Sequence, residues 1–352
     1  MERAYIVARI GEPSSKLMGE IEMRSSIAGT GMFVPEKVVT NHDLEQLMDT
    51  SDEWIRERSG IEERRFVDEG TGPADLAVEA SMEAVEQAGI EVSDVDFIIF
   101  ATLSPENYFP GSGVHLQRKL GISNIGALDI RNQCSGFLYG LSVADQYIRA
   151  GTYENILLVG AEVHSAGLNL STEGRDVAVL FGDGAGAAVI RPAEDEHRGI
   201  LSTHLHSDGN YVEELWVEAP TTLERPWIDK EMIDNGRIYP KMNGRQVFKH
   251  ATVRFTEVVN EALGANGFTT EDLDMLVPHQ ANYRITQAIA RRLHLTENQY
   301  ISNIHKYGNT TAASIPIALH EGVTDGRISP GDLVALAAFG SGFTWASALL
   351  RW

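Results

Sequence analysis

Cysteine is almost absent from this sequence, because Cys134 is the only one in 352 residues. A single cysteine excludes an intrachain disulfide. No apolar run approaches the roughly 20 residues that a membrane-spanning helix needs. The opening stretch "MERAYIVARIGEPSSKLMGEIEMRSS" has no basic-then-apolar signal pattern. These absences predict a cytoplasmic protein without a membrane partner.

Positive charge is also scarce. The sequence has 29 lysines and arginines against 50 aspartates and glutamates, which gives a formal charge of −21 at pH 7. This excess repels phosphates, so it argues against nucleic-acid or anionic-membrane binding and leaves room only for a local basic patch. Hydrophobic residues at 43% and charged residues at 22% are typical of a globular protein. The length suits two domains or one duplicated domain.

The sequence contains an internal repeat. "AVEQAGIEVSDVDFIIFATLSPE" starts at Ala84 and "ALGANGFTTEDLDMLVPHQANYR" starts at Ala262, an offset of 178 residues. Each copy predicts a helix ended by glycine, an acidic turn and a short apolar strand. With the same offset "NQCSGF" faces "TTAASI", while "FGDGAGAAVI" and "FGSGFTWASAL" match at a shorter one. The repeat predicts two α/β halves that divide near residues 191–199, with buried strands such as "NILLVGAEV" and "LVALAAF".

Cys134 lies between the predicted strand "IGALDI" and the predicted helix "SGFLYGLSVADQYIRAG". Phe137, Leu141, Ala144 and Ile148 recur at helical spacing and predict one buried face. A cysteine at a helix N-terminus meets unpaired N–H groups and the helix dipole, which favour the thiolate. We therefore expect a nucleophile with a lowered pKa, although most lone cysteines are small buried hydrophobes.

Such a nucleophile needs partners that manage protons and developing negative charge. Two candidates follow apolar strands in the second half: His279 in "MLVPHQAN" and Asn309 in "KYGNTTAASIP". The sequence has 11 histidines, so an isolated one is more often structural. Asn309 beside a glycine also fits an ordinary turn.

Six motifs appear in the same order as in a known family: "TSDEWIRERSGIEERR", "QCSGFLYGLSVADQYI", "LFGDGAGAAVI", "VPHQANYRI", "GNTTAASIP" and "FGSGFTWASALLRW". On these motifs, residues 27–352 resemble the 3-oxoacyl-[acyl-carrier-protein] synthase III family of the thiolase-like superfamily. The resemblance implies a duplicated α/β fold in a layered α/β/α/β/α sandwich. It also implies an N-terminal extension (1–26), two halves (27–195 and 196–352) and a homodimer.

The implied activity is a decarboxylative Claisen condensation that starts type II fatty-acid synthesis. An acyl-CoA primer acylates Cys134, and malonyl-acyl carrier protein then supplies two carbons. His279 and Asn309 hold the thioester carbonyl of the malonyl donor while CO2 leaves, and the backbone N–H groups of Cys134 and Ser341 form the oxyanion hole. Coenzyme A thioesters enter as substrates, and the resemblance implies neither a cofactor nor a metal.

The resemblance also implies binding residues. Trp54 and Arg175 sandwich the adenine of coenzyme A with Arg58 beside it, Arg245 contacts pantetheine, and Asn282 bonds with the glycine-rich loop. Phe109 lies in a loop that crosses to the partner subunit's acyl pocket. Residues expected to dock the acidic acyl carrier protein are Lys249, Arg284, Arg291 and Arg292.

The acyl substrate stays open. The segment around residues 218–240 is longer than in the family pattern, and it either covers the tunnel mouth or is an inert surface excursion. Arg245 replaces a common asparagine, and "DIRNQCSG" with "FGSG" resembles enzymes that make quinolones, so a secondary-metabolite condensing enzyme is the alternative. Phe109 in place of an acidic residue disfavours enzymes that join two fatty acyl groups. A non-catalytic scaffold is disfavoured because the Cys, HQAN and GNT motifs are intact.

Overall fold

The computed structural model of the chain describes residues 24–195 and 197–352. Of the predicted N-terminal extension, residues 1–26, the first 23 residues lie outside the described part. Within the described part the strands, in chain order, are β1 (Ser25–Phe33), β2 (Val38–Thr40), β3 (Glu63–Arg65), β4 (Phe97–Ala101), β5 (Gly126–Ile130), β6 (Ile156–Glu162), β7 (Gly184–Pro192), β8 (Gly199–Ser207), β9 (Leu215–Trp216), β10 (Lys241–Met242), β11 (Met275–Pro278), β12 (Leu333–Gly340) and β13 (Thr344–Arg351).

The α-helices range from one turn to six turns in length. Within the described part they are α1 (Asn41–Glu45), α2 (Asp52–Ser59), α3 (Pro73–Gln87), α4 (Ser112–Leu120), α5 (Gly136–Arg149), α6 (Arg175–Ala178), α7 (Lys230–Asp234), α8 (Gly244–Ala265), α9 (Tyr283–Arg292), α10 (Ile304–Tyr307) and α11 (Ser314–Thr324).

Two mixed sheets form the frame of the molecule. The first has the order β1-β7-β6-β4-β5, and the second has the order β8-β13-β12-β11. In the first sheet β4 and β6 are parallel, and the pairs β6–β7 and β7–β1 are antiparallel. In the second sheet β11 and β12 are parallel, and the pairs β12–β13 and β13–β8 are antiparallel. The second sheet thus repeats the order and directions of the first, apart from β5. This confirms the predicted duplication.

The repeat is kept in register along the chain. Strand β4 begins at Phe97 and β11 at Met275, one-turn 3-10 helices begin at Gln133 and Thr311, and α5 and α11 begin directly after those turns. Each pair is separated by the 178 residues that separate Ala84 from Ala262. The ends of β4 and β11 and the starts of α5 and α11 are therefore equivalent places.

The helices and sheets stack in five layers. Helices α5 and α11 lie between the sheets, where Phe137, Leu141 and Leu319 pack against strands of both. Helices α3 and α4 cover the outer face of the first sheet, and α8 and α9 cover that of the second. Fully burying a side chain such as Phe137 contributes on the order of 2 kcal/mol. The α/β/α/β/α prediction is confirmed, and so is the buried face of α5.

Candidate active site

The site forms where the two equivalent one-turn helices, residues 133–135 and 311–313, pack against each other. Each contains a residue in the left-handed region, Gln133 with φ 45° and Thr311 with φ 48°. Such a conformation costs on the order of 1–3 kcal/mol for a residue with a side chain, and it persists only where the surroundings impose it. The strained residue in one half directly precedes Cys134, and its counterpart Thr311 lines the same cavity.

Glycines let these turns approach the strands. A Cβ at Gly340 would lie 2.8 Å from Cys134 Cβ, and one at Gly160 would lie 2.3 Å from the carbonyl oxygen of Ala312. Because no side chain fits at either place, β6 and β12 can close directly on the two turns. The cysteine is thereby pressed against the glycine-rich loop, residues 339–343.

Cys134 is buried, with 7% of its surface exposed. Burial raises the pKa of its thiol to about 12, and the charge of Glu162 adds to this rise. The backbone N–H groups of Cys134 and Ser341 and the Thr311 hydroxyl oppose it. The predicted lowering of the pKa is therefore wrong, because desolvation outweighs the helix N-terminus. The resting group is the thiol, and its proton must be removed when it attacks.

His279 follows β11 directly, and its backbone N–H donates to Ala337 at 2.8 Å. Its Nδ1 lies 2.6 Å from the hydroxyl of Ser314, which accepts the backbone N–H of Gln280. A Ser314 hydroxyl that donates to Nδ1 places the ring proton on Nε2. Nε2 is buried and has no partner among the described residues. Burial, with His164 adding, lowers the pKa of His279 to about 3, so the ring is neutral and offers one N–H.

Asn309 is held by its backbone and by its side-chain oxygen. Its N–H donates to Leu180, its carbonyl accepts from Gly182, and Oδ1 accepts the N–H of Thr311 at 2.9 Å. With the oxygen occupied, the Nδ2 hydrogens are the donors that the side chain has left. The side chain is 6% exposed. Asn309 and His279 therefore both present N–H donors whose opposite ends are already bonded.

A cavity of about 590 Å³ opens beside Cys134. Ser341 and Gly342 lie at its wall with Thr311, and the Ser341 hydroxyl donates to the carbonyl oxygen of Leu215. Its apolar wall suits an acyl chain and consists of Leu103, Val163, Leu168, Phe181, Val212, Leu215, Val217 and Ile238. Ile238 and Pro240 belong to the long segment, so the end of that segment does reach the cavity.

Trp54, Arg58 and Arg175 lie together as the resemblance implied. The Cζ atom of Arg58 is 4.5 Å from the centroid of the Trp54 ring, and that of Arg175 is 5.5 Å from it. An indole with two guanidinium planes nearby can stack a flat heterocycle. Adenine binding by this trio remains a prediction.

Asn282 has a different role from the predicted one. Its Nδ2 donates to the carbonyl oxygen of Arg58 at 2.8 Å, and its Oδ1 accepts the N–H of Arg284 at 2.9 Å. It therefore caps α9 and ties that helix to α2. No bond to the glycine-rich loop is found in the part of the chain that the structure describes, so that expectation is wrong. The first N–H groups of α9 need an acceptor, and the side chain of Asn282 supplies it.

Phe109 does not line the cavity of its own chain. It is 80% exposed, and its neighbour Tyr108 lies edge-on to Trp227 with ring centroids 5.2 Å apart. Arg245 is exposed near the start of α8. Neither residue touches the cavity in the single chain. Their assignments to the partner subunit's pocket and to pantetheine stay predictions.

The basic residues lie on α8 and α9, which pack together. Lys249, Arg284, Arg291 and Arg292 are exposed, and none forms an ion pair with another residue that the structure describes. Arg292 is tied down, since Nη1 donates to the carbonyl oxygen of Thr252 at 3.0 Å. Arg284 and Arg291 are seven residues apart and share one helix face. Docking of a carrier protein there stays a prediction.

Sequence reasoning missed two buried polar side chains at the end of β6, Glu162 in its last position and His164 two residues later. Glu162 accepts from Thr102, Leu103 and Ser104, and burial raises its pKa to about 7. His164 Nε2 lies 2.8 Å from Thr311 Oγ1. The signal that singled out His279, a polar residue directly after a buried strand, applies equally to "LLVGAEVH".

No helix among residues 24–195 and 197–352 is long and apolar enough to cross a bilayer. In the same residues, no three His, Cys, Asp or Glu side chains gather as metal ligands would.

Models of one protein family match both the segment that carries Cys134 and the segment that carries His279 and Asn309. Residues 128–209 match the family model described as 3-Oxoacyl-[acyl-carrier-protein (ACP)] synthase III, and residues 263–352 match the model of its C terminal part. The chain is 47% identical over 328 residues to the beta-ketoacyl-[acyl-carrier-protein] synthase III of Xanthomonas campestris, covering 93% of this chain and 98% of that protein. It is 45% identical over 334 residues to that of Rhodospirillum centenum, covering 94% and 99%.

A solved structure shows the same architecture. The crystal structure of 3-oxoacyl-[acyl-carrier-protein] synthase III from Aquifex aeolicus superposes with a TM-score of 0.85 at 40% identity. The match covers 93% of this chain and 100% of that one.

Proposed function

The chain belongs to the 3-oxoacyl-[acyl-carrier-protein] synthase III family, and from this premise we propose how its residues carry out the condensation. The chain is an acyltransferase that condenses an acyl-CoA primer with malonyl-acyl carrier protein to give a 3-oxoacyl-acyl carrier protein. This reaction initiates type II fatty-acid synthesis. One observation supports the assignment of roles: Thr311, which lines the cavity beside the buried Cys134, is bonded to Asn309, and His279 is held by Ser314 at the start of the helix that follows the same turn.

Acylation comes first. The sulfur of Cys134 attacks the thioester carbonyl of the acyl-CoA, and the carbonyl oxygen becomes an oxyanion. The backbone N–H groups of Cys134 and Ser341 point at the sulfur site and are the donors for this charge. Coenzyme A leaves as its thiol, and the acyl chain stays on Cys134 in the apolar cavity.

The donor step follows. His279 Nε2–H and Asn309 Nδ2–H donate to the thioester carbonyl oxygen of the malonyl group. When CO2 leaves, its bonding electrons form an enolate on that oxygen, and the two fixed donors stabilise it. The enolate carbon attacks the acyl group on Cys134, and the sulfur leaves and is reprotonated. A neutral His279 suits this task, because an imidazolium would be costly to bury.

The remaining assignments are parts of the same proposal. Trp54, Arg58 and Arg175 bind the adenine of coenzyme A, and no cofactor is needed, because loss of CO2 drives carbon–carbon bond formation. Two chains form a homodimer through the face that carries Phe109, since this large apolar side chain is 80% exposed. The cytoplasm, where coenzyme A thioesters and carrier proteins meet, is the proposed location.

The decisive experiment incubates the purified chain with a panel of acyl-CoA primers and weighs the intact protein. A mass increase equal to one acyl group, absent from C134A, locates the acyl enzyme. Malonyl-acyl carrier protein is then added, and the 3-oxoacyl product is measured. If no primer of any length or branching adds mass to Cys134, the proposed function fails. The same panel reports whether the primer is that of fatty-acid synthesis or an unusual starter of secondary metabolism.

A further inference from the structure

The donor step leaves one buried imidazole in the site without a role. His164 is 7% exposed, lines the cavity beside Cys134, and packs its ring on Phe181 with centroids 4.7 Å apart. Its backbone N–H donates to Asp183 at 2.7 Å, which fixes the start of the loop. Its Nε2 lies 2.8 Å from Thr311 Oγ1. A buried imidazole beside a reactive sulfur has a desolvation cost that calls for a function.

Thr311 connects this ring to the nucleophile. Its backbone is held at a positive φ, with its N–H donated to Asn309, so the hydroxyl is fixed between two groups. One is His164, and the other is Cys134, which lines the same cavity on the turn that packs against that of Thr311 and whose thiolate the hydroxyl would stabilise. The three side chains form one series: sulfur, hydroxyl, imidazole.

We propose that His164 is a positioning residue for acylation, which acts through the Thr311 hydroxyl to give the Cys134 proton a path away from the sulfur. This rests on the proposed function and deepens it. As sulfur attacks the acyl-CoA carbonyl, the thiol proton passes to Thr311 Oγ1, and the Thr311 proton passes to His164 Nε2. The buried imidazolium exists only while the oxyanion beside it offsets its charge. When the carbon–sulfur bond to coenzyme A breaks, the same path returns a proton to the leaving thiolate. The products are acyl-Cys134 and the thiol of coenzyme A.

His279 cannot take this part while it serves the donor step. Its Nδ1 is bonded to Ser314, and its Nε2 carries the proton that the malonyl carbonyl needs. His164 is free to be the other tautomer, with the proton on Nδ1 and Nε2 accepting from Thr311. The two imidazoles thus divide the reaction between acylation and decarboxylation. The other ionisable groups around them are Glu162 and Asp183, both held by hydrogen bonds.

The test separates the two half-reactions in the full-length protein. Single-turnover acylation by a primer that the wild type accepts is timed by intact mass. Decarboxylation of a malonyl thioester is measured separately. H164L removes the hydrogen-bonding ring, and H164Q keeps a group that can accept from Thr311. T311V removes the hydroxyl, and T311S keeps it.

We expect H164L and T311V each to slow acylation at least about tenfold, at the lower end of what proton transfer contributes. The rate of decarboxylation stays within about twofold of the wild-type rate, because a substitution at a residue independent of that step changes it little. T311S recovers part of the rate, whereas H164Q, whose amide accepts a hydrogen bond but cannot take up a proton, recovers little. The double variant H164L/T311V is no slower than T311V, and acylation by H164L depends more steeply on pH.

Three results would overturn the proposal. The first is an unchanged acylation rate in H164L. The second is an equal loss in both half-reactions in H164L, or full recovery of acylation in H164Q, either of which assigns His164 a purely structural role. The third is a double variant slower than T311V by the full H164L factor, which means that the two residues act independently. If instead the wild type accepts no primer, the proposed function fails, and that outcome is visible before any variant is made.

Discussion

Asn309 Oδ1 accepts the backbone N–H of Thr311 at 2.9 Å, and this bond determines which end of the amide faces the substrate. The prediction is that N309D keeps this bond and loses the donors. A carboxylate oxygen would then stand where the enolate forms, so decarboxylation should fall by on the order of 10²–10³, as when one oxyanion donor is removed. Acylation of Cys134 should stay near the wild-type rate. An equal fall in both half-reactions would contradict the role given to Asn309.

His279 should show the same division of labour. H279A removes the Nε2–H donor, and we expect decarboxylation and condensation to fall far more than acylation. S314A is the informative companion, because it leaves the imidazole in place and removes the hydroxyl that bonds Nδ1. It should reduce decarboxylation by a smaller factor than H279A. If acylation in H279A falls as far as decarboxylation, this histidine serves both steps.

Acid should destabilise the fold through the two buried imidazoles. Burial lowers the pKa of His164 and of His279 to about 3, below the ordinary value of 6.5. Between these values the unfolded chain binds protons that the folded chain does not, so stability falls as pH falls. Each histidine contributes up to about 1.4 kcal/mol per pH unit in this window. Glu162 opposes them, because its raised pKa of about 7 favours folding as it takes up its proton.

Comparison of variants isolates the histidine contribution. H164F should flatten the loss of unfolding free energy between pH 7 and pH 5, measured by urea titration. H42N is the matched control, because His42 is exposed and Glu45 raises its pKa, mainly by a hydrogen bond. The exposed group should change the slope little. An identical slope for H164F and wild type would show that the ring is already protonated in the fold or accessible to water.

The structure differs from the sequence-based predictions where the burial of a side chain determines its chemistry. The repeat, the buried face around Phe137 and the strand-end position of His279 follow from periodicity, which is local. The pKa of Cys134 does not, because its desolvation depends on how closely Gly340 and the second half of the chain pack against it. Asn282 was misassigned for a local reason: a helix N-terminus was available for capping. His164 also lies just after a buried strand, but this position alone does not distinguish it among the eleven histidines of the sequence.

Trp54 gives a test of coenzyme A recognition. W54A should raise the KM for acyl-CoA, because the indole beside Arg58 and Arg175 offers the stacking surface. The KM for an acyl thioester of N-acetylcysteamine, which lacks the adenine, should not change. A rise with both substrates would mean that W54A distorts the site instead of removing an adenine contact.

The long segment should influence the choice of primer through its end at Ile238 and Pro240. Arg237 holds the segment together by ion pairs with Glu218 and Glu224. R237M should therefore change the ratio of kcat/KM between short and longer primers. K230M is the matched control, because the one ion pair of Lys230 with a described residue is that with Asp234, on the exposed side of the same segment. An unchanged primer ratio in R237M would favour an inert surface excursion.

Carrier-protein docking requires a local exception to the charge of this chain. Both partners are acidic. With a formal charge of −21, the enzyme repels the carrier protein except where basic side chains are not ion-paired. Arg284 and Arg291 lie on one face of α9, just after His279, and neither is ion-paired among the described residues. Arg292 is less suitable for the test because it also bonds Thr252. R284E/R291E should raise the KM for malonyl-acyl carrier protein, most strongly at low salt, since screening confines such attraction to about 8 Å at physiological ionic strength. Acylation by acyl-CoA should stay near normal, and R118E, which reverses an exposed charge on α4, should change neither value. If R284E/R291E and R118E give the same carrier-protein KM at both low and moderate salt, the carrier docks elsewhere.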